Sequence, residues 1–217
     1  DAFGGPDRAH PDFNNLQKAT SYAMTSFLTT GGIRGGKKKV DKFYPRSFNM
    51  GISREVFEKV GGFPKTKMHP GEDMVFTIDI MRNGFMTRLF EDAFVYHKRR
   101  TSLSKFKKQV FNFGYTRVII SRLYPETFKI FYFFPSLFIL GNILLLILGF
   151  IEPIFFLPLA TYIFLIFLDS LLKEKSLSVA FLSVATSLTQ VWAYGSGFLK
   201  GWWDVHLKRK DKFGVIG

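Results

Sequence analysis

The chain has 217 residues, room for one sizeable domain or for a modest one with a membrane segment. Its net charge of +13 and its 27 phenylalanines are unusual for a soluble protein, and a mean hydropathy of +0.10 averages a polar stretch with an apolar one. It contains no cysteine, which excludes a disulfide framework, a thiolate metal site and a cysteine nucleophile within these residues.

The chain opens at Asp1 without Met, signal peptide or basic leader, so a fragment or a processed product is the expectation. Gly4-Gly5-Pro6 marks a turn, and Phe13 to Phe27 has a helical pattern. A basic, glycine-rich segment follows, Gly31-Gly32-Ile33-Arg34-Gly35-Gly36-Lys37-Lys38-Lys39. Its spacing imitates a phosphate-binding P-loop, but that motif needs Ser or Thr after Lys37, and Lys38 stands there. Pro45 comes too soon for the helix the motif requires, so a cationic loop lying over an anionic substrate is the better reading.

Asn49-Met50-Gly51-Ile52 reads as a short, turn-like piece. Ser53 can cap a helix with Glu55 in its first turn and Gly61-Gly62 at its end. Beyond Pro64 and Pro70, Gly71-Glu72-Asp73 begins another helix, Met74 to Arg82, closed by Asn83-Gly84. Phe85 to Phe90 and Ala93 to His97 are strand-like. From Thr101 or Ser102 a basic amphipathic helix starts. Leu103, Phe106, Val110, Phe113 and Val118 share one face, with Lys105, Lys107, Lys108 and Arg117 largely elsewhere, as in a helix lying in a membrane interface.

Three apolar runs follow: Ile130 to Phe150, Ile154 to Leu172, and Ser176 to Leu199, the last weakened by Ser, Thr and Gln190. About 20 mainly apolar residues cross a bilayer as a helix, because lipid offers the backbone no hydrogen bonds. A chain this short has too little polar surface to hide such helices in a soluble core. Tyr132, Tyr162, Trp192, Trp202 and Trp203 fall near predicted ends, as interfacial aromatics do. Lys98, Arg99, Arg100, Lys105, Lys107, Lys108, Arg117 and Arg122 crowd beside the first run, which orients the polar part to the cytoplasm. A third crossing, the expectation adopted here, leaves Lys208-Arg209-Lys210 on the outer side against that rule; a re-entrant or interfacial third helix avoids the conflict. Basic residues tied to membrane edges point to phospholipid and away from nucleic acid.

The candidate for chemistry is Glu72-Asp73. Two carboxylates at a helix start lie where the macrodipole favours negative charge, and a carboxylate in a cleft can take a proton from a hydroxyl. Acidic residues at helix starts are commonplace, so the pair alone says only that a helix begins; a lone His97 closing a strand is likewise more often structural. The order of the features says more. Gly4-Gly5-Pro6 comes first, then Asn49-Met50-Gly51 before a helix ending in Val60-Gly61-Gly62-Phe63, then Gly71-Glu72-Asp73. Asn83-Gly84-Phe85, Tyr96-His97-Lys98-Arg99-Arg100 and Gln109-Val110-Phe111-Asn112-Phe113-Gly114 follow, leading into the apolar helices. From residue 1 to about 125 the chain thus resembles the C-terminal half of a membrane-attached, inverting family 2 glycosyltransferase of GT-A fold.

The resemblance implies an α/β fold in four parts. They are the acceptor-side part of a GT-A-like catalytic domain at 1–101, an amphipathic interfacial helix at 102–127, two to three transmembrane helices at 128–203, and a basic tail at 204–217. It implies transfer of a sugar from a nucleotide-sugar to an acceptor hydroxyl, with inversion, in cell-envelope polysaccharide synthesis on the cytoplasmic face of the inner or plasma membrane. Asp73 matches the aspartate of the family's Glu-Asp motif and would take the acceptor proton. Glu72, Gly71, Asn49 and Gly51 would form the acceptor site, and Arg99 and Arg100 would lie near the diphosphate, where cations stabilise the leaving group. His97 would stand close by and could ligate a metal. The cofactor implied is Mg or Mn, held mainly by an Asp-x-Asp in an N-terminal half absent from these 217 residues, so this fragment alone is expected to be inactive. Processive synthases carry Gln-x-x-Arg-Trp where this chain has Gln109-Val110-Phe111-Asn112-Phe113, which argues for adding one or a few sugars to a lipid-linked or saccharide acceptor. The rival class is a non-catalytic basic scaffold or assembly subunit docked on lipid headgroups. A transporter fits less well, because the apolar runs carry one charge, Asp169, close to an edge.

Overall fold

The computed structural model describes residues 1–31, 43–64 and 68–216. Beyond Gly31, the glycine-rich segment read above as a cationic loop lies outside them. Strand β1 (Ala2–Gly4) is the centre of a three-stranded sheet. It runs antiparallel to β3 (Met50–Ile52) and parallel to β4 (Thr87–Leu89), with Ala2 opposite both Ile52 and Thr87. β2 (Asp7–Arg8) pairs in parallel with β5 (Val95–Tyr96). The piece around Gly51 expected as a turn is therefore a strand. The Phe3 ring fills the space that a Cβ on Gly51 would take, a cross-strand fit that composition does not announce.

The run Phe13 to Phe27 forms two helices, α1 (Asn15–Thr25), opened by a capping box between Asn14 and Gln17, and α2 (Phe27–Thr30). Ser26 breaks the run: its backbone is extended and its hydroxyl caps Leu28 N–H. Helix α3 (Arg54–Val60) is capped by Ser53, as expected, and α4 spans Glu72–Arg82. Val56 of α3 and Phe76 and Ile80 of α4 bury Ala2 of the sheet. On its other face α4 sends Met74, Val75 and Ile78 against Val118, Ile119 and Ile120 of α5 (Leu103–Leu123). Helix α4 is thereby clamped between the sheet and α5.

The C-terminal part is helical: α6 (Phe134–Gly149), α7 (Leu157–Glu174) and α8 (Leu177–Trp202). With their flanking turns, the stretches Ile130–Gly149, Pro153–Glu174 and Leu177–Leu207 are each long and apolar enough to cross a membrane. The α6–α7 tip is bare, with Phe150 87% and Ile151 77% exposed. Helix α8 is different. It packs along α1 and then α5, where a Cβ on Gly114 would run into the Tyr194 carbonyl and one on Gly197 into the Phe111 carbonyl. Small residues let two helix backbones approach this closely. The face of α5 read above as lying on lipid is covered instead: Phe106 and Val110 pack with Ala23 and Met24 of α1 and Ala193 of α8. Periodicity reveals an apolar face without saying what covers it.

Residues 208–216 fold back onto α5. Lys212 donates through its backbone N–H to Tyr115 Oη (2.9 Å) and through Nζ to Asn112 Oδ1 (2.6 Å). Tyr115 donates to Asp204 Oδ2 at 3.0 Å, and Asp204 pairs with Lys200 at 2.6 Å. Burial pushes the Tyr115 hydroxyl up to about 12, so it serves as a neutral donor. Phe213, Val215 and Ile216 complete the core around it.

Candidate active site

The site begins at Gly71, whose φ of 130° lies in the region that strains any residue with a side chain. That conformation turns the chain into α4 and puts Glu72 and Asp73 in its first turn. Asp73 Oδ1 accepts the Met74 N–H (2.8 Å), and Oδ2 lies 3.6 Å from Arg46 Nη1. Glu72 Oε1 is 2.9 Å from His69 Nδ1. Its other oxygen is buried without a hydrogen-bond partner among the described residues.

These carboxylates open on one large cavity of about 1020 Å³. Part of its wall is polar and cationic: seven Lys and Arg side chains line it against three carboxylates, so it favours an anionic ligand. Another part is apolar and belongs to the membrane-type helices, with Phe134, Pro135 and Phe138 from α6, Tyr162 from α7, and Val191 from α8. Gln190 of α8 stands among these, and its Oε1 is buried and unpartnered among the described residues. One volume therefore joins the carboxylates to the helices that can enter a bilayer. At that size it suits a ligand at or above the upper end of ordinary small-molecule pockets, about 1,000 Å³.

Sequence reasoning and geometry meet at Gly71, Glu72, Asp73, His97, Arg99 and Arg100, all in the cavity wall. Their parts differ. Arg99 is 5% exposed, ion-paired with Asp7 of β2, and its carbonyl accepts from Gln17 Nε2 at 3.1 Å, so it ties β2 and α1 to the segment after β5. Arg100 is exposed and reaches Gln109 Oε1 at 3.2 Å. The His97 ring stacks on Phe48 with centroids 4.2 Å apart. Asn49 and Gly51 lie outside the wall: Asn49 Nδ2 donates to the Ala93 carbonyl (2.7 Å), and Gly51 sits under Phe3. Among the described residues no three His, Asp or Glu side chains converge as a divalent ion needs. Arg46, Gln190 and the α6 aromatics escaped the sequence reading. Only the nearness of Arg46 to Asn49 in the chain hinted at the first; nothing local marks the others.

A cavity with helix-start carboxylates and a cationic wall, set against membrane-type helices, suits a ligand with an anionic and an apolar part. The family model described as Glycosyl transferase family group 2 matches residues 48–168, a span holding α4, its carboxylates and both α6 and most of α7. The chain belongs to this family. Comparison with curated proteins and with solved structures gives no match.

Proposed function

We propose that the protein transfers a sugar from a nucleotide-sugar to a hydroxyl of a lipid-linked acceptor at the cytoplasmic face of a membrane, inverting the anomeric carbon, with Asp73 as general base. The observation that carries this reading is the single cavity shared by Asp73 and the apolar walls of α6, α7 and α8. In this reading the acceptor's lipid part lies against Phe134, Phe138 and Val191 while its hydroxyl reaches Asp73. Asp73 Oδ2 takes the hydroxyl proton as the acceptor oxygen bonds to the anomeric carbon. The bond from that carbon to the diphosphate oxygen breaks, and its electron pair leaves with the diphosphate. One in-line displacement inverts the centre. Arg100, Lys105 and Lys108 stabilise the diphosphate charge as it grows. Glu72 Oε2 and Gln190 Oε1 accept from acceptor groups, since buried polar atoms ordinarily find a partner.

The test is transfer in membranes that carry the complete protein, with radiolabelled nucleotide-sugars of different bases and sugars. Label should enter a product extracted into organic solvent, with the new glycosidic bond of inverted configuration by NMR. Retained configuration, or label confined to water-soluble products for every donor, overturns the reading.

A further inference from the structure

By length and composition α8 is a crossing helix, yet it is fastened to the polar half of the molecule from end to end. At its start Asn15 Nδ2 of α1 donates to Ser178 Oγ (3.1 Å). Midway, Thr186 Oγ1 donates to the Ala19 carbonyl at 2.9 Å. Farther on, Gly197 and Gly201 lie against the α5 backbone, and Tyr115 of α5 holds Asp204. Helix α5 carries Lys105, Lys107, Lys108, Arg117 and Arg122 with no acidic residue, and α1 carries Lys18. A crossing by α8 would carry these helices and their charges into hydrocarbon, where isolated charges are costly.

The side of α8 left open bears one apolar stripe at helical spacing. Phe181 (its ring also against Phe167 of α7), Ala185, Leu199 and Trp203 are exposed, with Leu188 and Trp192 half-buried between them. The exposed Ser196 in the same line bonds back to the Trp192 carbonyl. Lys200, Lys208, Arg209 and Lys210 gather at its far end. An apolar stripe with aromatic anchors and flanking cations is what an anionic lipid surface binds along a helix lying in its plane.

We infer that α8 lies along the membrane surface with this stripe in the boundary between headgroups and acyl chains. Only the α6–α7 hairpin enters the bilayer from that face, and the tail 204–216 stays on the same side as Asp73. This arrangement also removes the charge conflict of a third crossing, because Lys208-Arg209-Lys210 then sits with the other juxtamembrane cations.

These 217 residues lack cysteine, so within them an introduced thiol reports by itself, and the protein without an introduced thiol gives the background. Glu58→Cys marks the exposed side of α3, and Arg209→Cys and Lys210→Cys mark the tail at two independent positions. A membrane-impermeant maleimide is applied to sealed vesicles of both orientations, with labelling in detergent as the full signal. Tail thiols should label from the same side as Glu58→Cys, at least tenfold faster than from the other; labelling from the opposite side overturns the inference. A fluorophore on Phe181→Cys, Ala185→Cys and Trp192→Cys should be quenched more by nitroxides near the headgroup than by nitroxides deep in the chains. Deepest quenching at Trp192→Cys would mean that α8 spans. Neither measurement depends on sugar transfer.

Discussion

Asp73→Asn separates the chemistry of the site from its architecture. The amide oxygen of asparagine can still accept the Met74 N–H that Asp73 Oδ1 accepts at 2.8 Å, so the first turn of α4 keeps its bond. What disappears is the charge and its pairing with Arg46. That pair is long, 3.6 Å, and the Arg46 side chain is 32% exposed, so it contributes at most about 1 kcal/mol. For a chain of this size that corresponds to a shift of about 2–4 °C in Tm. Loss of a general base costs roughly 10²–10⁴ in rate, about 2.7–5.4 kcal/mol of barrier. The expected result is therefore a kcat down by at least a hundredfold, a donor KM within about twofold of wild type, and a nearly unchanged melt. Steady-state kinetics in membranes and thermal unfolding in detergent measure all three. Turnover within threefold of wild type would sink the assignment of Asp73 as base. A large rise in donor KM together with a large fall in Tm would show that the carboxylate is structural.

Gln190→Leu removes the unpartnered carbonyl from the α8 wall at similar volume. One net hydrogen bond is about 0.5–1.5 kcal/mol, so acceptor KM should rise about 2–10-fold at constant donor KM, and an unchanged acceptor KM refutes its contact with the acceptor. Gly197→Val drives a side chain into the Phe111 carbonyl, and overpacking of about 1–3 kcal/mol should lower Tm by several degrees; an unshifted melt would mean the α5–α8 seam is looser than described. Tyr115→Phe removes the donor to Asp204 and the acceptor of the Lys212 N–H, and should lower Tm. The raised Tyr115 value sets the pH dependence of that loss. Its contribution is complete below the unfolded value of about 10 and fades as pH rises toward about 12. The Tm gap between wild type and Tyr115→Phe should therefore be flat to pH 10 and close above it, and a gap that widens contradicts the sign.

Much of this was legible because local rules and tertiary structure agree. Ser53, Gly71 and Ser102 mark helix starts by chemistry that needs no neighbours, and each helix begins where its cap stands. The apolar runs declared α6 and α7 because those helices face little protein. The strand at Gly51 and the separation of α1 from α2 were not legible, since each depends on a contact or backbone angle set by a distant or single residue. In the cavity wall, the Glu-Asp pair had been singled out by the order of the motifs around it, since a helix start alone says only that a helix begins. Asn49 lies outside this cavity wall because its amide donates to the Ala93 carbonyl, in the loop before β5. Gln190, buried in an apolar run, looked like an interruption of a span.

The two helices most easily misread are the ones that build the site. Helix α5 has a face for α4, through Val118, Ile119 and Ile120, and an edge at Phe111, Gly114 and Tyr115 for the glycines of α8. The first contact fixes where Asp73 stands, and the second fixes where Gln190 and Val191 stand. The distance between the Asp73 carboxylate and the apolar wall is therefore set along one helix and not by a loop. That is the kind of support a site needs when a hydroxyl must meet a base within hydrogen-bond reach. The same geometry explains why α5 and α8 are both amphipathic without either being free to bind lipid on every apolar residue. Their inner faces belong to the protein, and the widest apolar surface they leave exposed is the outer stripe of α8.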